Sequence, residues 1–218
     1  MNSDYRQTIN DWFLEQFSES DFTGTAGVRI RYAHNTLKAD RPVLVMALER
    51  TEFIEKYIEV CWSLRDTNVS LFLYDHCGQG KSGRLLDDRQ KGHIDFFETY
   101  LSDLKFLVET KIKPYCSAPL TMLGYSMGGT VGVLFADAFP HLLDRLILTS
   151  PMLQINTGRL MPPLLVEVVS RVMNRLGKGA NYVWGGGPFD QEAEFEGNVL
   201  TSDEARYCYN LELMRTTE

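Results

Sequence analysis

No stretch of the sequence strings together the roughly 18 apolar residues that a membrane-crossing helix needs. The opening MNSDYRQTINDWFLEQF is polar and mixed in charge, without a basic segment leading into an apolar run, so it does not read as a secretory signal. A basic surplus is missing too. The formal charge of −7 excludes a chain-wide basic face of the kind nucleic acid requires. Cysteine is scarce, and Cys61, Cys77, Cys116 and Cys208 lie far apart with no metal-ligand spacing. They fit reduced thiols in a cytoplasm better than a disulfide frame. There is no internal repeat and no low-complexity tract, and 218 residues with 44% hydrophobic content suffice for one globular unit.

What is present is a regular alternation. RPVLVMAL (41–48), VSLFLY (69–74), APLTMLGY (118–125) and LDRLILTSPM (143–152) are short apolar runs suited to buried strands, and GTAGVRIRYAHN (24–35) alternates like the tail of a hairpin. Between them, 51–66, 93–112 and 128–139 carry apolar residues at helical spacing. Strands alternating with helices predict a mostly parallel sheet covered on both faces, an α/β sandwich with its ligands at the carboxyl ends of the strands. After Pro151 the pattern changes. An apolar stripe, Leu164, Leu165, Val168, Val169, Val172, Met173 and Leu176, predicts a helix capped near Gly177, and 201–218 reads as a second helix. The chain therefore divides into a core, 1–153, and a helical cap or lid, 154–218.

The segment Gly124-Tyr-Ser-Met-Gly128 stands between a predicted strand and a predicted helix, the context of a nucleophile elbow. A serine on such a tight bend brings backbone so close that side chains at the two glycine positions would collide. The bend also aims the helix N-terminus at the reacting oxygen. Ser126 is thus the candidate nucleophile, and the N–H of Met127 a candidate oxyanion donor.

Together YDHCGQGKSGR (74–84), GYSMGG (124–129) and LTSPML (148–153) resemble the monoacylglycerol lipase and lysophospholipase branch of the α/β-hydrolases, which is S33-like. The resemblance implies hydrolysis of a lysophospholipid or monoacylglycerol ester through an acyl-serine. It implies no metal or organic cofactor, and a small lipid ester as partner. It puts Arg50 at the second oxyanion donor position, with Glu49 where the family has glycine, and it makes Asp75 and His76 structural. Cys77 stands where the family usually has arginine and reads as a small buried filler. Contact with a membrane periphery is compatible with this reading. The alternatives are a non-catalytic α/β module and a related peptidase or small-ester esterase.

The base is the difficulty. Of His34, His76, His93 and His141, one alone follows Ser126, and His141 falls about 18 Å along the next helix from it. Asp144 shares that far edge, and Asp190 and Asp203 fall in the cap. The family places its acid and histidine after two further strands beyond the cap. The resemblance therefore implies that 1–218 is the N-terminal part of such a hydrolase, with no triad acid or histidine of its own. Such a chain should lack ordinary turnover and leave a sheet edge open to association.

Overall fold

The computed structural model describes residues 3–154, 162–183, 186–189, 194–198 and 201–217. Among the described residues six strands form one mixed sheet: β1 (Ser18–Thr23), β2 (Arg29–His34), β3 (Val43–Ala47), β4 (Ser70–Tyr74), β5 (Leu120–Tyr125) and β6 (Arg145–Thr149). Their spatial order is β1-β2-β4-β3-β5-β6. The hairpin β1–β2 is antiparallel and adds antiparallel to β4, whereas β4, β3, β5 and β6 run parallel. The register sets Ala47 of β3 beside Gly124 of β5. The exits of the two central strands therefore meet at one place.

Strict alternation divides the core in two. Val43, Val45, Ala47, Phe72, Tyr74 and Met122 face α3 (Glu98–Leu107) and α4 (Met127–Ala138). Met46, Leu48, Leu71 and Leu73 face the other layer, made of α1 (Ser3–Gln16) and α2 (Ile58–Ser63). Neither α1 nor β1 was expected from the polar N-terminal segment. Ile9, Phe13 and Phe17 recur every four residues, and that thin stripe is buried against the sheet. Trp12 of α1 meets Trp62 of α2 edge to face, with ring centroids 5.3 Å apart.

Two helices start later than the apolar spacing predicts. The segment expected to wind from residue 51 turns first as a 3-10 helix at Ile54–Tyr57, and only then as α2. The amides of Thr51 and Ile54 are held by side chains of a distant loop, so they are not free to begin a helix. The helix expected from residue 93 begins at Glu98, because 92–93 lie against the Gly78 turn, and it ends in a π-turn at Val108–Ile112. The predicted strand 143–152 shortens to Arg145–Thr149.

Beyond residue 154, α5 (Pro163–Arg175) stops just ahead of Gly177, and α6 (Glu204–Thr217) follows. α6 packs back on the core: Arg206 makes a bidentate pair with Glu59 at 2.8 Å, and Arg6 lies over the Tyr209 ring at 4.4 Å. No helix among the described residues is long and apolar enough to cross a membrane.

Candidate active site

β5 runs into α4 through one residue, Ser126, at φ 49° and ψ −114°. That is a costly conformation for a residue with a side chain, and it persists only where the surroundings enforce it. They do so with four backbone bonds. The Ser126 N–H donates to the Thr149 carbonyl at 3.1 Å, and the Ser126 carbonyl accepts from the N–H groups of Gly129 and Met152, each at 2.9 Å, and of Thr130 at 3.3 Å. The serine is half-buried, and among the described residues its hydroxyl makes no hydrogen bond.

The elbow glycines are required by contact. A Cβ at Gly124 would stand 2.7 Å from the Gly128 carbonyl oxygen. One at Gly128 would overlap the Ala47 carbonyl oxygen and lie 2.6 Å from that of Leu48. The collision at Gly128 is thus with the exit of β3, not with the serine's own neighbours. It puts the 48–54 loop directly on the first turn of α4. Among the described residues the amides of Arg50 and Met127 have no acceptor. The free Met127 amide follows the serine directly, and the free Arg50 amide belongs to the loop that lies on the first turn of α4.

The 48–54 loop has no glycine and is held from outside. His76 Nε2 donates to the Leu48 carbonyl at 3.1 Å, Gln79 Oε1 accepts from Thr51 N–H, and Asp75 Oδ1 accepts from Ile54 N–H at 2.9 Å. All three come from YDHCGQGKSGR, which explains that motif's place beside the elbow. Asp75 also accepts from Lys81 N–H at 2.9 Å and Arg31 at 3.2 Å, and Arg31 in turn pairs with Glu19 and Glu55. Burial pushes the Asp75 carboxyl up to about 6 against those partners. Burial lowers His76 to about 4, so it is neutral: Nε2 carries the proton and Nδ1 is left without a partner. Cys77 is buried and its thiol pushed up to about 11, mainly by desolvation, which leaves it a poor nucleophile.

Glu49 is half-buried and lies close enough to Tyr125 for its charge to raise the pKa of the Tyr125 hydroxyl. The residue before Ser126 thus faces this carboxylate across the two turns. Sequence reasoning missed this pair, and it missed Gln79 and Thr51. The three non-glycine residues at positive φ among those described are Thr51 (64°), Ser126 (49°) and Ser150 (44°). All three sit on the turns around this serine.

The histidines are elsewhere. His34 stacks on Phe72, His93 pairs with Asp95 at 3.1 Å, and His141 is exposed beyond the far end of α4. Asp144 accepts from Leu120 N–H at 2.7 Å, at the opposite end of β5 from Ser126. Asp203 caps α6 by accepting from Arg206 N–H at 3.1 Å, and Asp190 lies outside the described residues. Among the described residues no cluster of His, Cys, Asp or Glu could hold a metal ion. A cavity of about 250 Å³ opens between α1, α2 and α6, lined by Ile9, Ile58, Arg206 and Tyr209, and Ser126 takes no part in it.

The profile of the family described as "Serine aminopeptidase, S33" matches residues 38–213. The chain belongs to this family. It is 31% identical to lysophospholipase L2 of Escherichia coli K12 over 202 residues, which are 91% of this chain and 58% of that one. It is 28% identical to monoacylglycerol lipase of Mycolicibacterium smegmatis over 163 residues, 74% of this chain and 55% of that one. The chain spans about three fifths of the length of the lysophospholipases it matches. Its fold superposes on a thermostable carboxyl esterase of Bacillus coagulans with a TM-score of 0.64 at 20% identity, covering 78% of this chain and 54% of that one. The α/β-hydrolase fold expected of this S33 member is therefore the one it has.

Proposed function

We propose that this S33 member is a serine hydrolase of lipid esters, its Ser126 hydroxyl attacking the ester carbonyl of a lysophospholipid or monoacylglycerol to give an acyl-serine. The observation that carries this reading is Ser126 itself, a non-glycine residue at φ 49° with an uncommitted hydroxyl, followed directly by the uncommitted amide of Met127. In the attack, the C–O bond from Ser126 forms as the carbonyl becomes an oxyanion, stabilised by the N–H groups of Met127 and Arg50. The alcohol then leaves with the serine's proton, and water releases the fatty acid. The relatives' names supply the substrate class, and residues 154–218 serve as the cap over the acyl chain. Buried, reduced Cys61, Cys77 and Cys116 agree with a cytoplasmic setting.

No described histidine or carboxylate bonds to Ser126, so in this reading the 218-residue chain relies on the amides and binding alone. That arrangement retains on the order of 10³–10⁴-fold acceleration over water when a triad is removed. A p-nitrophenyl ester tests it, because its leaving group departs without protonation. Mass spectrometry of the purified chain after incubation should find one acyl group on the Ser126 peptide and none in Ser126→Ala, with little further turnover. Equal acylation of the two proteins, or none in either, would overturn the reading. The second outcome would favour a non-catalytic module, the alternative that Glu49 at a glycine position supports.

A further inference from the structure

Three buried side chains spend one polar atom on backbone and, among the described residues, leave the other without a hydrogen-bond partner. Gln79 accepts from the Thr51 N–H through Oε1, while its Nε2 comes near the Tyr100 hydroxyl without closing a bond. His76 donates to the Leu48 carbonyl through Nε2, and its Nδ1 is unpaired. Asp103 of α3 accepts from the Thr25 N–H at 2.6 Å through Oδ1, which fastens the turn between β1 and β2, and its Oδ2 is unpaired. The Tyr74 hydroxyl, at the end of β4, is unpaired too. All four residues are at most 4% exposed. They belong to β4, α3 and the loop between, inside the fold, so none of this depends on a surface.

These atoms share one neighbourhood. The His76 ring meets the rings of Tyr74 and Tyr100 edge to face, with centroids 4.8 and 5.0 Å away. Asp103 stands one turn from Tyr100 on α3, and its charge raises the pKa of the Tyr74 and Tyr100 hydroxyls and of the Cys77 thiol. Yet none of the four atoms bonds to another. Buried polar groups of folded proteins find partners, in the protein or in ordered water. The chemistry of this set selects among partners. His76 Nδ1 and Asp103 Oδ2 accept, Gln79 Nε2 donates, and the Tyr74 hydroxyl can do either. An anion would face a carboxylate and an imidazole lone pair. A metal ion would face an amide N–H, and among the described residues no cluster of His, Cys, Asp or Glu could hold one. Water donates twice and accepts twice, the complement of this set, and a buried water takes about three such partners.

We infer that an internal water site lies between Tyr74, His76, Gln79 and Asp103, where water donates to His76 Nδ1 and Asp103 Oδ2 and accepts from Gln79 Nε2 and the Tyr74 hydroxyl. A donor at Nδ1 fixes His76 as the Nε2–H tautomer, the form that holds the Leu48 carbonyl. The same water joins the 48–54 loop, through His76 and Gln79, to the β1–β2 turn, through Asp103. It is thus a member of the clamp on that loop, whether or not Ser126 acylates.

Oxygen-17 magnetic relaxation dispersion of the solvent tests the site on the full 218-residue chain, because it counts water held inside a protein and exchanging hydroxyl protons do not contribute. Asp103→Leu removes one acceptor and fills the space with a branched apolar side chain. Its dispersion amplitude should fall below the parent's by at least one water molecule. Tyr74→Phe deletes a single bond and leaves the space, so the amplitude should persist while the residence time shortens about fivefold, the equivalent of one hydrogen bond. A second readout needs no folded variant. In a two-bond proton–nitrogen spectrum of the parent, His76 should show a protonated Nε2 and an Nδ1 shifted as a hydrogen-bond acceptor. Ser126→Ala should match the parent throughout, so failure of the hydrolase chemistry would leave this result standing. Equal amplitudes in the parent and a folded Asp103→Leu, or a His76 Nδ1 that resonates as an unbonded or protonated nitrogen, would each overturn the inference. If Asp103→Leu does not fold, the His76 spectrum of the parent decides alone.

Discussion

Two turns meet at Ser126, and they are built by opposite means. The β5–α4 turn is shaped by side chains that are missing: Gly124 and Gly128 leave no room for a Cβ, and backbone bonds to Thr149 and Met152 hold the rest. The β3–α2 turn has Glu49, Arg50 and Thr51 where a glycine would serve, and side chains from 75–79 fix it at Leu48, Thr51 and Ile54. A tight turn beside a serine can thus be shaped either by steric exclusion or by side chains reaching in from a distant loop. The first is intolerant of any added atom. The second distributes its stability over several hydrogen bonds, so it should yield in steps.

The sharpest test of that contrast is Gly128→Ala. Its methyl group would overlap the Ala47 carbonyl oxygen, and relief requires β3 and α4 to separate. The expected loss exceeds about 4 kcal/mol, the extreme end for one substitution, in urea unfolding. On the clamped side the most severe change is Asp75→Ala, which strands the amides of Ile54 and Lys81 and takes one carboxylate from Arg31. It should cost about 3 kcal/mol, less than Gly128→Ala because Glu19 and Glu55 remain on Arg31. Equal losses at the two sites would erase the distinction.

A third measurement separates the turns by pH. In the unfolded chain His76 takes a proton near 6.5, whereas the buried ring refuses it until about 4. As pH falls from 6.5 to 4 the unfolded state binds more protons, so stability is lost across that window, about 3 kcal/mol from this residue. Asp75, raised to about 6, acts in the opposite sense over nearly the same window, so His76→Gln should gain stability relative to the parent as pH falls from 6.5 to 4, whereas Gly128→Ala should keep the parent's slope. The mildest probe is Thr51→Gly, which relieves φ 64° and should change stability by no more than about 1 kcal/mol. A large loss there would mean that the threonine side chain also supports the loop.

The same contrast explains what could be read from the sequence. Gly124, Ser126 and Gly128 form a local pattern, as do the apolar runs of β3, β4 and β5, so the elbow and the sheet were legible. The clamp was not, because its two halves are more than twenty residues apart and no spacing links Gln79 to Thr51. The late start of the 54–63 helices follows from that clamp, and was missed with it. The approach of Glu49 to Tyr125 was hidden because the two are far apart in sequence. α1 went unread for a different reason: its apolar positions Ile9 and Phe13 are diluted by polar neighbours, and only packing on the sheet makes them a face. The wide arc of α5, by contrast, was plain in the sequence, and among the described residues its side chains are largely exposed.

One earlier contact offers a practical handle. The perpendicular indoles of Trp12 and Trp62, 5.3 Å apart, are close enough for their excited states to mix. The docked N-terminal helix should therefore give a split circular-dichroism band in the ultraviolet, and Trp12→Phe should remove it. That optical signature would report whether the first layer has closed on the sheet, independently of any chemistry at the serine.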